Sequence, residues 1–210
     1  MTEGTSNDST SDHLSNNGRS CCNKESTNSN ILDAVQTSID SLANKEWSNV
    51  ESRVLVVYTG GTIGMVRNNR GALEPKPRDL ERRLRGYPHM HDEDLAKEKY
   101  PNSPFLVLPL YKEKHCIIYM IHEYSPLLDS SNMTCDNWAT IAKDIRSVYK
   151  MFDGFVVLQG TDTLAYTASA LSFMLENLGK PVVITGSQIP IFETRSDGRD
   201  NFVGSIIMAG

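Results

Sequence analysis

The chain has few cysteines. Cys21, Cys22, Cys116 and Cys135 are its four, and no two form a C-x-x-C pair. A disulfide framework or a zinc centre is therefore not expected, and the thiols read as reduced, in a cytoplasmic protein. No apolar run approaches the roughly 20 residues that span a membrane. The first 30 residues lack the apolar core of a secretory leader. Positive charge is not in excess either: the formal net charge is −5, so no basic face for nucleic acid is expected. Two phosphate-binding fingerprints are missing as well. Glycines at 60, 61 and 64 do not fit G-x-G-x-x-G, and no G-x-x-x-x-G-K-[ST] occurs.

Residues 1–30 consist mainly of Ser, Asn, Thr and Asp, with almost no large apolar side chains. Such a segment cannot bury enough surface to offset its ordering entropy, so disorder is expected there. Cys21 and Cys22 within it have no amphipathic or membrane segment beside them, which favours two free thiols over a lipidation or redox site. Leu32, Val35, Ile39 and Leu42 recur at helical spacing and predict a short amphipathic helix over 31–43, with Asn30 as candidate N-cap. The chain thus divides into a tail, 1–50, and a folded domain, 51–210.

The domain is organised around residues 54–64, VLVVYTGGTIG. A β-branched apolar run predicts a buried strand, and it stops at two adjacent glycines flanked by Thr59 and Thr62. Such a turn often only caps a helix. It also puts a hydroxyl where open α/β sheets bind ligands, outside the carboxyl ends of the strands.

From Val66 to Lys114 prolines interrupt every pattern, and a long insertion beside a strand-end site suggests a lid or binding loop. One charged helix is expected near 78–85. Its Arg82, Arg83 and Arg85 sit within a turn of Asp79 and Glu81, so a solvated face outweighs a phosphate site. A second strand, 117–121, runs to His122 and Glu123. His122 has no H-E-x-x-H partner and reads as a hydrogen-bonded structural residue. Polar residues 129–133 follow, then a helix capped by Thr134 that carries Trp138, Ile141, Ala142, Ile145, Val148 and Tyr149 on one face.

Asp153 and Gly154 predict a turn, and 155–158 a buried strand ending in Gln159-Gly160-Thr161-Asp162-Thr163. The helix expected over 164–178 is apolar nearly all round, which predicts burial on most sides. Gly179 and Pro181 stop it. Strand 182–185 ends at Gly186-Ser187-Gln188, a turn is expected at Asp197-Gly198, and the last helix is expected from about Asn201. The alternation predicts an α/β fold: a parallel, Rossmann- or flavodoxin-like three-layer sheet with helices on both faces.

Four strand ends then deliver Thr62, Asp129 with Ser130, Thr161 with Asp162, and Ser187 with Gln188 to one sheet edge, which makes a site of what would singly be ordinary turns. No histidine or cysteine stands at these positions, which disfavours Ser-His-Asp and Cys-His chemistry. Isolated carboxylates among hydroxyls make a weak metal site. What remains is a threonine nucleophile beside a carboxylate, needing a base from elsewhere. Carboxylates that can hold an ammonium, and hydroxyls and helix N-termini that can hold a carboxylate, fit a zwitterionic amino acid.

Thr-Gly-Gly-Thr-Ile-Gly-Met at 59–65 and Gly-Thr-Asp-Thr at 160–163 resemble the two signature motifs of the asparaginase/glutaminase family. Leu-Asp-Ser-Ser-Asn-Met-Thr at 128–134 and the stretch 171–181 resemble the cytosolic type I enzymes. The insertion at 89–114 is similar to that of the animal forms, some fused to ankyrin repeats and called lysophospholipases. The resemblance covers about 53–210. It implies that Thr62 attacks the side-chain amide of L-asparagine and becomes an aspartyl ester, that Thr161 and Asp162 form a second catalytic set, and that Asp129, Ser130, Ser131 and Asp162 hold the α-amino and α-carboxylate groups. The Thr161 amide is the natural oxyanion donor. No cofactor or metal is implied.

Two departures accompany the resemblance. The type I loop tyrosine falls at Ala72, and the family's catalytic lysine and smaller C-terminal α/β domain, which completes a homodimer or tetramer, are expected beyond Gly210. The 210 residues are thus expected to be a fragment and, alone, a poor catalyst. Two other readings stay open: a non-catalytic amino-acid-binding or interaction module, and the related amidotransferase subunit that releases ammonia for transfer-RNA amidation, against which the type I stretches weigh.

Overall fold

A computed structural model of the chain describes residues 31–40, 51–109 and 115–210. The expected disorder of 1–30, the pair Cys21 and Cys22, and the end of the 31–43 helix lie outside the described residues. In chain order the elements are α1 (Ile31–Asp40), β1 (Glu51–Gly60), β2 (Val66–Arg67), β3 (Leu73–Glu74), α2 (Asp79–Arg85), α3 (Glu93–Lys99), β4 (Leu106–Val107), β5 (Cys116–Leu128), α4 (Cys135–Val148), β6 (Gly154–Leu158), α5 (Leu164–Met174), β7 (Val182–Thr185) and α6 (Asp197–Ala209).

One five-stranded sheet runs in the order β4-β5-β1-β6-β7. β1 lies at its centre because its apolar residues alternate onto both faces and need cover on each. Val54 pairs with Tyr119 of β5 on one side and Gly154 of β6 on the other, in parallel register. Leu55 and Val57, with Ile118, Met120, Phe155 and Val157, face a core closed by Val35 of α1, Ile141, Ile145 and Val148 of α4, and Leu171 of α5. Val54, Val56 and Tyr58, with Tyr119, Ile121, Val156 and Leu158, face a second core closed by Leu80 and Leu84 of α2 and Phe202, Ile206 and Ala209 of α6. Each such aliphatic or aromatic burial contributes about 1.5–3 kcal/mol before entropy is charged. Two cores on one sheet make the expected three layers.

The sheet is mixed rather than wholly parallel. β4, from the proline-rich stretch, pairs antiparallel with β5 at the edge, and β2 and β3 form a separate hairpin. β5 is 13 residues long, well past the expected 117–121, because it follows β1 to its tip, where Gly60 pairs with Leu128 across a register shift. His122 makes a ring contact, edge-on to Tyr124 at 5.8 Å, in place of the expected hydrogen bond; burial lowers its pKa. Gly154 opens β6 rather than completing a turn.

α4 starts where expected. Asn137 Oδ1 accepts from Thr134 N at 2.8 Å and from Thr134 Oγ1 at 2.9 Å. α5 differs more. It ends at Met174, and only Thr167 and Leu171 are buried. Tyr166 is 66% and Phe173 87% exposed. An apolar circumference predicts cover on every side, whereas α5 packs one face on the sheet and α4. α6 begins at Asp197, four residues before the expected start, because Ser196 Oγ accepts from Gly198 N at 2.9 Å and turns the expected bend into a capped first turn.

α2 carries the arginine cluster as a self-paired surface. Asp79, 2% exposed, accepts from Arg82 at 2.5 Å and is ion-paired with Arg83 at 2.7 Å, and Glu81 accepts from Arg85 at 2.7 Å. Burial pushes the Asp79 carboxyl up, but the Arg82 hydrogen bond and the charges of Arg83, Arg82 and Lys76 outweigh it, so it sits below the usual range. A depressed folded-state pKa gives stability that is full above the unfolded value, about 3.9, and is lost as pH falls through the folded value. Thermal melts of the chain and of Asp79→Asn are thus expected to differ near neutral pH and to converge as pH falls from the unfolded value through the lower folded-state value. A gap that holds steady down to about pH 2 would remove the arginine-paired carboxylate from the account.

Candidate active site

Parallel strands all present their carboxyl ends to one edge. β1, β5, β6 and β7 bring residues 60–62, 129–131, 160–162 and 186–188 there. Glycine sets how closely these tips approach. Gly61 has φ 88, and a methyl on it would sit inside the backbone of Gly160 and Gln159. A methyl on Gly160 would overlap the Ser130 side chain. The tips of β1 and β6 therefore touch backbone to backbone, and the Ser130 side chain of the β5 tip packs on Gly160 to form one ledge.

Thr62 leads a 3-10 turn, Thr62–Gly64, and is half-buried above the fully buried Ile63. Ile191 N donates to Ile63 O at 3.0 Å, which ties the segment after β7 to this turn. Ser130, buried, heads the 3-10 turn Ser130–Asn132 and donates from Oγ to Asp162 Oδ2 at 3.3 Å. Thr163 Oγ1 donates to Ser130 O at 2.8 Å, fixing the β5 and β6 tips together. Asp129 Oδ1 accepts from Ser131 N at 3.1 Å, so one of its oxygens caps its own turn. Asp129, Ser131 and Asp162 are exposed. The structure thus joins Ser130 to Asp162 directly, packs Gly61, next to Thr62 in the chain, against Gly160, and leaves Asp129 and Ser131 exposed.

Gln188, placed at a strand end from sequence, gains its partners here, and Asp197 joins it unforeseen. Gln188 Nε2 donates to Thr161 Oγ1 at 2.9 Å, and Asp197 accepts from Gln188 N at 2.9 Å and Ile189 N at 3.0 Å. Those amides, the Gln188 one foremost, hold the Asp197 carboxyl below the usual range. Asp197 was hidden because Asp-Gly reads as a turn. Beneath the ledge, Gln159 is 1% exposed. Its Nε2 donates weakly to Gly160 O at 3.3 Å, while its Oε1 has no partner among the described residues.

The ledge is an open shelf of hydroxyls, carboxylates and amides. A cavity of about 690 Å³ lies elsewhere, between the C-terminal ends of α4 and α5 at the opposite edge of the sheet. Its lining mixes apolar Ile145, Met151 and Leu175 with charged Lys143, Arg146 and Glu176. Among the described residues no group of three or more His, Cys, Asp and Glu side chains is placed to hold a metal ion, and no helix is long and apolar enough to cross a membrane.

Comparison with known proteins gives this shelf its context. The chain is 50% identical over 162 residues to an L-asparaginase of Dirofilaria immitis and 48% identical over 160 residues to a 60 kDa lysophospholipase of Homo sapiens. Each match takes in 76% of the chain, which spans only 27% and 28% of these two relatives. The crystal structure of L-asparaginase I from Vibrio cholerae superposes with a TM-score of 0.59 at 43% identity, over 76% of this chain and 42% of that one. The asparaginase N-terminal family model matches residues 53–210, from β1 through all four polar strand ends to the close of α6, so the chain belongs to the asparaginase family.

Proposed function

We propose that this domain, within its parent protein, hydrolyses the side-chain amide of L-asparagine to L-aspartate and ammonia. The observation that carries the reading is the meeting of Ser130 and Asp162 at 3.3 Å beside the Gly61 contact with Gly160, which gathers a nucleophile turn, a carboxylate and a buried hydroxyl on one ledge. Thr62 Oγ1 adds to the amide carbon, its proton passes to a base and then to the departing nitrogen, and ammonia leaves an aspartyl ester. Water cleaves the ester and restores the Thr62 hydroxyl. The Thr161 amide donates to the developing oxyanion. Asp162 and Asp129 receive the substrate ammonium, Ser130 and Ser131 its carboxylate. Thr161 belongs to the second catalytic set, and Gln188 holds its hydroxyl in place.

A shelf of hydroxyls and carboxylates suits a small zwitterion and offers no slot to an acyl chain, which favours asparagine over a lysophospholipid. The chemistry draws on no cofactor, and the parent protein works as a cytoplasmic homo-oligomer.

The test compares the full reading frame that carries this chain with its Asp162→Asn variant, by ammonia release from asparagine. Neutralising a carboxylate that faces an ammonium is expected to raise KM and lower kcat, together about 100-fold or more in kcat/KM. Unchanged kinetics would reduce Asp162 to a partner of Ser130. Asparagine binding with no ammonia from the unmutated protein would instead favour a non-catalytic binding module.

A further inference from the structure

Tyr58 is the last large side chain of β1 before the glycine pair. Its ring is fully buried in the core that α2 and α6 close. Its hydroxyl has no hydrogen-bond partner among the described residues. Buried hydroxyls are normally paired, and an unpaired one is a cost that phenylalanine would not carry.

The place of that oxygen is specific. A side chain on Gly64 would overlap the phenol oxygen and the ring carbons next to it. The hydroxyl therefore lies against the inner side of the Thr62–Gly64 turn, in the space a side chain at 64 would fill. The turn is already held on its other side by Ile191 N on Ile63 O, and closed by Met65 N on Thr62 O at 3.0 Å. Tyr58 also stands opposite Glu123 of β5 in the parallel register. Glu123 is half-buried, and its Oε1 accepts from Arg78 N at 2.8 Å, where Arg78, at φ 59, leads into α2. Burial and the neighbouring Glu123 push the phenol pKa far up, so the hydroxyl remains a neutral donor.

We propose that Tyr58 is a positioning residue for Thr62: its hydroxyl is the donor that fixes the Thr62–Gly64 turn in its attacking conformation when substrate binds. This rests on the reading of Thr62 as nucleophile. The acceptor is a carbonyl of the turn, whose Gly64 stands against the phenol oxygen. The core closed by α2 and α6 keeps the ring in place.

The experiment is Tyr58→Phe in the full reading frame, with kcat and KM for asparagine and the melting temperature measured together. Loss of one donor used only in the attacking conformation is expected to lower kcat about tenfold and leave KM within about twofold. The melting temperature should hold or rise, since an unpaired buried hydroxyl is removed. A merely structural role would move the melting temperature and spare kcat. A kcat within about twofold of the unmutated protein overturns the proposal. Thr62→Ala run alongside separates the two readings. Ammonia release that survives Thr62→Ala refutes the nucleophile and the positioning role with it. Activity lost in Thr62→Ala but intact in Tyr58→Phe refutes the positioning role alone.

Discussion

Thr62→Ala is expected to abolish ammonia release from asparagine, by roughly 10⁴-fold or more in kcat, with aspartate binding and melting temperature little changed. The size follows from what is removed. A nucleophile splits one hard displacement into two easier ones, and no neighbouring group takes its place when its oxygen goes. Structure is spared because Thr62 is half-buried at the head of a turn that backbone contacts hold: Met65 N on Thr62 O, Ile191 N on Ile63 O and the close packing of Gly61. Thr62→Ser, which keeps the oxygen and loses a methyl, should retain a measurable share of the rate. Ammonia release from the Ala protein at even a tenth of the original rate would sink the assignment of Thr62.

The second large effect is on the fold. Gly61→Ala is expected to cost about 3–5 kcal/mol, a drop of about 6–20 °C in melting temperature for a domain of this size. Two penalties add. A side chain at φ 88 leaves the comfortable backbone regions, and the new methyl would fall inside the backbone of Gly160 and Gln159. No rotamer relieves a clash with backbone, so the tips of β1 and β6 must part. Parting them also moves Thr62 away from Thr161 and Asp162, so turnover per folded molecule should fall as well. Calorimetry and an ammonia assay on the same preparation check both. A melting temperature within about 2 °C of the original would mean that the tips are not packed backbone to backbone.

Much of this architecture was legible before any coordinates. Residues 54–58 are apolar at every position, which only a strand covered on both faces tolerates, and β1 is the sheet's centre. Glycine at the ends of β1, β6 and β7 marked the sharp turns, and β7 runs over the expected residues. α5 misled because its apolar circumference reports how much cover the helix can use, and says nothing of where that cover lies. β4 was invisible because two residues paired at an edge leave no period to read. The ledge was legible in part. Residue types at strand ends gave Thr62, Ser130, Thr161 and Asp162. The contacts of Gln188 on Thr161 and of Asp197 on the 188–189 amides depend on how the segment after β7 folds back, which no local pattern encodes.

The central strand has a consequence for how the protein is made. The groups that complete the Thr62 turn come late in the chain: Ser130 and Gly160 first, Gln188 and Ile191 last. At ordinary rates of synthesis Ile191 leaves the ribosome on the order of ten seconds after Thr62. For the first part of that interval, until β5 has been made, Val-Leu-Val-Val-Tyr, the strand that both neighbours will cover, waits without either of them. Such a segment, β-branched, uncharged and free of proline, is the kind that pairs with a second nascent copy of itself. Yield of active protein should therefore depend on chaperone supply and on temperature during expression more than the stability of the finished fold would suggest.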